Sequence, residues 1–474
     1  MNKKLIIAIL CVQVLCPLHA QVHISVSDDC YVSSADTLAF WARSNTHGTV
    51  PMGNSNVLRA NLEEFWQSAN GNWNLKAVEN VVLTTPFKGT AQVIPDELYA
   101  SASYKCLKLD VGFKAKETDF NGLSVSGGDV TYSGNARTMP GYSFQITPVA
   151  VPFTKNKLFF NLTYGDYFLN DTRYIRGAMV HNTELFLRYD FSKHWSAKIG
   201  LEDWGMWGGE GKPGGFENYL RIVTGARGGD DASRSDQINI LGNHLGRTYV
   251  RVQYNADKWS LSLTKDTMHE DGSGMRWQNF PDGVWTLHLD RKDKDAWVSD
   301  VVAEFIYSKC QSGQYHDRPA TEEEKAQQDP DSWHYGKVVI GGGDNYFNHG
   351  EYCSGWTYFG RTIGIPLFTP KQPDENGITM GVINNRISGF NIGVGGKIAH
   401  ISPYRFLVTY TRNFGTWSNI YSDPGLKQLS IALTGEAPGF REIPLSITYG
   451  LYADYGSIYN KCVTFKIGIR YDIL

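Results

Sequence analysis

Four residues near the middle of the chain have side chains suited to binding or cutting a sugar. Within residues 200–209 (GLEDWGMWGG) these are Glu202, Asp203, Trp204 and Trp207. An indole ring can stack on the C–H groups of a sugar, and two carboxylates can serve as the acid and base of a glycosidase. Neighbouring strand residues point to opposite faces, so a structural loop is the alternative interpretation.

A second group of candidate ligand contacts lies in a glycine-rich segment, residues 126–142 (SGGDVTYSGNARTMPGY). Its glycines permit backbone angles that other residues avoid. Asn135 and Arg137 are the polar side chains we expect to reach a ligand. The competing interpretation is a loop that passes close to a neighbouring wall of the protein.

The remaining polar segments predict no metal site and no cofactor. Residues 268–275 (MHEDGSGM) could hold a cation, but they lack the alternating ligand spacing of a calcium loop. No GxSxG, HExxH or CxxC motif occurs. A hydrolase that uses Glu202 or His269 therefore stays only as an alternative hypothesis.

The first twenty residues, MNKKLIIAILCVQVLCPLHA, predict an export signal. Lys3 and Lys4 precede a short apolar run, and Ala20 ends an acceptable cleavage site. The cysteines beyond it are Cys30, Cys106, Cys310, Cys353 and Cys462. This odd and dispersed set predicts neither a metal site nor a disulfide framework, although one or two bridges stay open.

The composition excludes several classes of protein. The 45 basic and 48 acidic residues are nearly balanced, which argues against a nucleic-acid-binding protein. Aromatic residues make up 13% of the chain, so the chain is not disordered. A mean hydropathy of -0.32, with no long apolar run after the N-terminus, excludes a helical membrane protein.

The pattern of residues 184–201 predicts a β-hairpin with one apolar and one polar face. Leu185, Leu187 and Tyr189 alternate with polar residues, and the alternation resumes after a tight turn at residues 192–194. Similar strands recur along the chain, including residues 57–66 and 462–473. The only helices predicted are short ones, at residues 37–43 and 322–328.

Two all-β architectures produce this pattern, a soluble sandwich and a transmembrane barrel. Tight turns alternate with long polar stretches, aromatic residues flank the tight turns, and the polar faces suit a wet lumen. These features favour a large antiparallel transmembrane β-barrel of about 16 to 18 strands. We predict a signal peptide at residues 1–20, a periplasmic N-terminal segment at 21–55, and the barrel with its extracellular loops at 56–474.

Four stretches of the chain resemble the capsule-assembly Wzi family of Gram-negative outer-membrane proteins. They are residues 126–142, 200–209, 268–275 and 344–370, the last reading DNYFNHGEYCSGWTYFGRTIGIPLFTP. The resemblance implies a closed barrel of roughly eighteen strands, plugged partly by its own loops, with at most a small helical periplasmic element. It also implies a lectin-like role in capsule assembly without catalysis, and it transfers no residue-level binding map.

The leading functional hypothesis is a non-enzymatic outer-membrane lectin for capsular or exported polysaccharide. Its predicted binding residues are Asn135, Arg137, Glu202, Asp203, Trp204 and Trp207. Its expected partners are that polysaccharide, outer-membrane lipid and polysaccharide export machinery. The alternatives are a diffusion or export pore and an outer-membrane hydrolase.

Overall fold

The protein is a closed antiparallel β-barrel. The computed structural model describes residues 21–314, 316–332, 334–340, 342–439 and 443–473, so the predicted signal peptide lies outside the described residues. Eighteen strands form one sheet, and its first and last strands pair from Ser25–Asp472 to Ser33–Thr464. This pairing removes both sheet edges and confirms the predicted large all-β barrel.

The barrel strands, numbered in chain order, are β1 (Gln21–Ser33), β2 (Ser55–Gln67), β3 (Trp73–Pro86), β4 (Gln92–Tyr104), β5 (Leu107–Phe113), β6 (Pro140–Ala150), β7 (Leu158–Phe168), β8 (Met179–Asp190), β9 (Trp195–Trp207), β10 (Asn243–Asn255), β11 (Trp259–His269), β12 (Gly283–Arg291), β13 (Asp300–Tyr307), β14 (Ile387–Ile398), β15 (Ser402–Asn413), β16 (Leu426–Pro438), β17 (Leu445–Gly456) and β18 (Cys462–Asp472). The helices are α1 (Phe40–Arg43), α2 (Gly215–Thr224), α3 (Arg234–Ile238), α4 (Gly272–Met275) and α5 (Glu322–Ala326). A 3₁₀ turn spans Phe120–Gly122, and short strand pairs join His316–Pro319 to Lys337–Ile340, Thr357–Tyr358 to Arg361–Thr362, and Thr369–Pro370 to Val382–Asn384.

The outer surface of the barrel carries the apolar residues of the alternating pattern. Leu185 and Leu187 of β8 are 42% and 41% exposed, and Leu201 of β9 is 53% exposed. Their strand neighbours Glu184 and Glu202 point into the lumen, where Glu202 is buried. An apolar outer face against lipid and a polar inner face are the pattern of a transmembrane barrel.

The two ends of the barrel differ in the length of their connections. At one end, called the turn end, connections run from two residues (105–106) to eight (292–299). At the other, called the loop end, they reach 26 residues (114–139), 35 (208–242) and 79 (308–386). Short turns face the periplasm in bacterial outer-membrane barrels and long loops face the exterior, which orients this one.

Aromatic rings surround the turn end, as the sequence predicts for an interfacial girdle. The ring centroids of Trp195 and Tyr254 are 4.9 Å apart, and Tyr254 lies 5.6 Å from Trp259. Trp73 and Tyr104 form another such pair at 4.7 Å. Amphipathic rings of this kind favour the boundary between lipid and water.

The prediction that residues 21–55 form a periplasmic segment is wrong. Residues 21–33 form β1, which pairs with β2 and β18 inside the barrel wall. Residues 34–54 then return through the loop end, and α1 packs within the lumen, where Trp41 Nε1 donates to Thr409 Oγ1 over 3.0 Å. The sequence prediction failed because β1 begins directly after the predicted cleavage site, without a linker.

The hydrophobic core fills the loop-end half of the lumen. Three connections meet there: residues 34–54, the plug segment (residues 114–139) and the large loop (residues 308–386). Ile365 N donates to Val130 O over 3.0 Å, so the large loop and the plug segment share backbone hydrogen bonds. The side chains of Val130, Met139 and Tyr346 are fully buried in this core.

The helix predictions are partly correct. Both short helices exist, but α1 begins at Phe40 and α5 ends at Ala326. The sequence analysis missed α2, an amphipathic helix that buries Ile222 against β8 and β9 at the loop end. Among the described residues, none of the helices has the length and hydropathy needed to cross a bilayer.

All five cysteines of this part of the chain are free thiols.

Leu201→Arg should destabilise the barrel by about 2–4 kcal/mol, because it places a guanidinium in the middle of the lipid-facing band. Ser101→Arg is the matched control, since Ser101 is paired with Asp110, which lines the lumen. To measure the difference, each variant is unfolded with urea in bilayers. The folded fraction is read from gel migration, because an unheated folded barrel and an unfolded chain migrate differently. Equal stability of the two variants would contradict the assigned orientation of the strands.

Candidate functional site

A large polar cleft opens at the loop end of the barrel. Its volume is about 930 Å³, and four connections build it: residues 208–242, 270–282, 308–386 and 414–425. Its polar side chains, called the outer cleft residues, are Ser235, Asp236, Asn239, Asn243, His244, Glu270, Asp271, Asp344, Asn345, Asn348, His349, Lys371, Thr416, Ser418 and Asn419. Amides, hydroxyls and carboxylates of this kind can donate to and accept from the hydroxyl groups of a sugar.

One half-buried carboxyl group of the outer cleft, that of Glu270, binds the large loop. Glu270 follows β11 directly, and its two oxygens accept the backbone N–H groups of Asn345 and Phe347, each over 3.0 Å. Asn385 then donates to Asn345 Oδ1 and Tyr346 O, each over 2.7 Å. The large loop is therefore fixed to the barrel rim, and the cleft is preformed rather than assembled by a ligand.

Burial changes the protonation of the groups that line this cleft. Burial, together with the nearby Asp271 carboxylate, raises the pKa of Asp344 to about 7. Burial also lowers the pKa of His349 to about 4, so this imidazole is neutral at neutral pH. Asp344 accepts from Ser312 Oγ over 2.7 Å, so its carboxyl group couples two parts of the large loop.

A buried network of ion pairs lies beneath the cleft and ties the plug segment to the barrel wall. Its members, called the plug network, are Lys116, Asp129, Glu184, Glu202, Arg247 and Asp266. Arg247 Nε contacts Glu202 over 2.6 Å, and its Nη atoms contact Asp266 over 3.1 Å and Asp129 over 3.2 Å. Lys116 bridges Asp129 and Glu202, each over 2.5 Å. Two cations thus hold four carboxylates, one of which, Asp129, belongs to the plug segment.

The structure separates the predicted sugar-binding group of β9. Glu202 points inward and belongs to the plug network, with 0% exposure of its side chain. Trp204 also points inward, but it is buried and stacks on Tyr132 of the plug segment, with ring centroids 4.9 Å apart. Neither group presents a free surface to a ligand at the loop end.

Asp203 and Trp207 occupy the other side of the same strand. Asp203 accepts from His244 Nδ1 over 2.8 Å, and Trp207 packs on Tyr219 of α2 at 5.2 Å. α2 covers this outer side of the barrel rim, and it excludes Trp207 from solvent. The four residues are therefore not one constellation, because successive residues of a strand point to opposite faces.

Asn135 and Arg137 lie in the plug segment, away from the outer cleft. Asn135 is buried, and its amide donates to the backbone oxygen of Thr362 over 3.0 Å. The Arg137 guanidinium lies 4.1 Å from the ring of Phe359 and donates to Gln92 Oε1 over 2.8 Å. Both side chains join the plug segment to its neighbours, as the structural interpretation of this segment predicts. A polysaccharide contact by any of the six predicted residues stays a prediction.

One further cluster, at the turn end, has groups that could bind a metal ion. One ligand atom each of His288, Asp290 and Asp300 lies within 4.8 Å of the others. The Lys294 ammonium contacts Asp300 Oδ2 over 3.2 Å and also binds Asp290. Because the Lys294 ammonium already pairs with these carboxylates, we interpret the cluster as an ion-paired turn and assign no metal function to it.

Comparison with known proteins supports the barrel fold. Neither a protein-family model nor a curated protein sequence matches the chain. Among solved structures it is similar to Wzi, an outer-membrane protein involved in group 1 capsule assembly in Escherichia coli and a carbohydrate-binding β-barrel. Wzi is 12% identical, the alignment covers 99% of this chain and 88% of Wzi, and the TM-score is 0.54.

Two other solved barrels are less similar. OpdL of Pseudomonas aeruginosa is 9% identical over 96% of this chain and 99% of its own, with a TM-score of 0.47. OccAB4 of Acinetobacter baumannii is 9% identical over 96% and 98%, with a TM-score of 0.46. Only the similarity to Wzi, at 12% identity and a TM-score of 0.54, shows a shared fold, and it shows nothing finer.

The closed ring of strands, its apolar outer band and its unequal ends decide the location of the protein. It is a β-barrel of the Gram-negative outer membrane.

Sequence reasoning missed the outer cleft of this barrel, because the cleft residues come from four loops without a common motif. The nearest signal was residues 268–275 and 344–370, which contribute Glu270 and Asp344.

Arg247→Gln should release the plug segment from the barrel wall. It leaves four carboxylates with Lys116 alone, and removing one partner of a buried ion pair costs about 3–5 kcal/mol. Hydrogen exchange of residues 114–139 should accelerate at least tenfold. Arg188→Gln is the control, since it removes a partly exposed pair with Asp190 and a ring contact with Phe159 near the turn end, both outside the plug network. Unchanged exchange in Arg247→Gln would contradict the role of the plug network.

Raising the pH should loosen the outer cleft near Asp344. Because the pKa of Asp344 is raised to about 7, its stabilising contribution is complete below about pH 4 and is lost as the pH rises toward 7. Hydrogen exchange of residues 342–349, corrected for intrinsic rates, should therefore increase severalfold from pH 5 to pH 8. Asp344→Asn should remove this dependence, whereas Asp331→Asn, an exposed carboxylate of the same loop, should retain it.

Proposed function

We propose that the protein is a non-enzymatic outer-membrane lectin that binds capsular or exported polysaccharide in the outer cleft. The observation that carries the proposal is the cleft itself, an open space of about 930 Å³ on the exterior side of the barrel. This volume falls within the range of small-molecule pockets, about 300–1,000 Å³. The proposed cleft residues differ from the six residues predicted from sequence, whose contact with polysaccharide stays a prediction.

The chemistry of the cleft suits a polymer of hydroxyl-rich units. Asn239 and Asn419 are exposed and line the cleft from two different loops, and neither side-chain amide has a hydrogen-bond partner among the described residues. Lys371 adds one exposed ammonium group. Repeating units that each make a few such contacts bind with useful avidity, although each single contact is weak.

The interior of the barrel supports a binding role over a pore. Three connections pack into one apolar core across the lumen, and the plug network fixes the plug segment from below. An open diffusion channel needs an unobstructed lumen. Planar-bilayer conductance distinguishes the two functions, since a lectin with this plug should show no large, steady open current.

The arrangement of acidic groups gives no support to a hydrolase. Glu202 has 0% side-chain exposure and is bound by Lys116 and Arg247, so it cannot reach a substrate. His269 pairs with Gly246, which pairs in turn with Asp203, so it lies on the outer side of the barrel rim. The carbohydrate-binding description of Wzi, whose barrel this chain shares, agrees with the lectin proposal. Contacts with polysaccharide export machinery and specific lipids stay predictions.

The double substitution Asn239→Ala and Asn419→Ala should weaken polysaccharide binding about tenfold, through two lost hydrogen bonds. Neither side chain supports the fold, so the barrel should retain its heat-modifiable migration. The measurement is biolayer interferometry of the purified full chain with capsular polysaccharide from the producing strain.

Asn376→Ala is the matched control, because Asn376 is an exposed asparagine at the same end of the barrel, outside the outer cleft. It should bind as the parent does. If the double variant also binds as the parent does, the outer cleft is not the polysaccharide site.

A further inference from the structure

A second cavity lies inside the barrel, between the plug segment and the turn end. Its volume is about 300 Å³, and we call it the lumen cavity. Gly127, Gly128 and Tyr132 of the plug segment close its outer end, and inward-facing residues of β5 to β11 form its wall. The turns on the other side have at most eight residues (292–299), too few to cross the barrel. The lumen cavity therefore faces the periplasm, with the plug between it and the outer cleft.

Most charged groups of the lumen cavity are paired with one another. Lys114 contacts Asp110 over 2.6 Å, and Arg251 contacts Asp119 over 2.5 Å. Lys116 and Arg247 are both committed to the plug network. These ion pairs neutralise most of the charged groups of the cavity wall, so these groups offer little net charge to a ligand.

Lys198 differs from these cations. Its Nζ lies 3.8 Å from the ring centroid of Phe186 and 5.0 Å from that of Tyr249. Within the described part of the chain, no carboxylate oxygen comes within 4 Å of it. The two rings hold the ammonium group at the cavity wall, and its remaining N–H donors are available to an anion. A carboxylate that binds there forms a charge-assisted hydrogen bond in a partly enclosed site.

The rest of the wall suits the ring and hydroxyl groups of a sugar. Ser143, Gln145, Asn161, Thr163 and Asn182 supply hydroxyls and amides. The Asn161 amide nitrogen donates to Ile146 O over 2.8 Å, which leaves its carbonyl oxygen free to accept a hydroxyl proton. Phe186, Tyr167 and Trp204 contribute aromatic surface to the same space. Convergent polar groups with aromatic walls are the composition of a small-molecule site.

We propose that the lumen cavity binds one acidic monosaccharide unit from the periplasmic side, with the sugar carboxylate on Lys198 Nζ and its hydroxyls on the amide and hydroxyl groups of the wall. This site goes beyond the proposed function, since it lies on the opposite side of the plug segment from the outer cleft. Loss of polysaccharide binding at the outer cleft would leave it unaffected.

Calorimetric titration of the full chain in detergent micelles with glucuronate tests the proposal. Methyl glucoside, which has the ring without the charge, and acetate, which has the charge without the ring, are the comparison probes. Glucuronate should bind at least about tenfold more tightly than either, because each lacks one set of contacts.

The variants locate the binding site. Lys198→Gln should weaken glucuronate binding about tenfold, and Lys198→Arg should retain it, since arginine keeps the charge. Lys193→Gln, which removes an exposed ammonium in the neighbouring turn, should bind as the parent does. If Lys198→Gln fails to fold, Thr163→Val, which removes a hydroxyl of the cavity wall, should weaken glucuronate binding severalfold, and unchanged binding in that variant would overturn the proposal.

Three results would overturn the proposal. Glucuronate binding by Lys198→Gln as tight as that of the parent would remove Lys198 from the site. Acetate binding as tight as glucuronate would show a simple anion site. Methyl glucoside binding as tight as glucuronate would show that the charge has no role.

Discussion

A strand in lipid must pair every backbone N–H and C=O group with another strand, and the rest of this structure depends on that constraint. It requires β1 to close on β18, which leaves the sheet without an edge. A ring of eighteen strands encloses a lumen too wide for its own side chains to fill. The protein fills the loop-end half of that lumen with three of its own connections, and its hydrophobic core lies there.

A lumen filled by loops needs an anchor between loop and wall, and here that anchor is ionic. Arg247 of β10 and Lys116 hold carboxylates of both the plug segment and the wall. Burial of charged groups in the barrel is tolerated only where each one has partners, as in the plug network. The consequence is functional: the anchored plug divides the interior, so that a ligand meets the outer cleft from outside and the lumen cavity from the periplasm.

The fold could be predicted from sequence because its signal is periodic and local. Alternation at Leu185, Leu187 and Leu201 reports a face against lipid, and it needs no knowledge of distant residues. The predicted N-terminal boundary of the barrel was wrong because it depends on distant residues. The pairing of β1 with β18 joins the two ends of the chain, and a local pattern does not report it. The helix α2 was missed because it is only 10 residues long and lies within a long polar loop.

The sequence by itself determined that the chain is all-β and apolar on one face of each strand, because side-chain alternation is a property of neighbouring residues. Only the tertiary structure decided which residues form sites. Glu202 and Trp204 carry the right chemistry for a sugar, but packing against the plug segment commits them to the interior. The outer cleft instead joins Asn239 to Asn419 from separate loops. Proximity between distant segments is set by the closure of the barrel and the packing of its loops, and no local pattern encodes it.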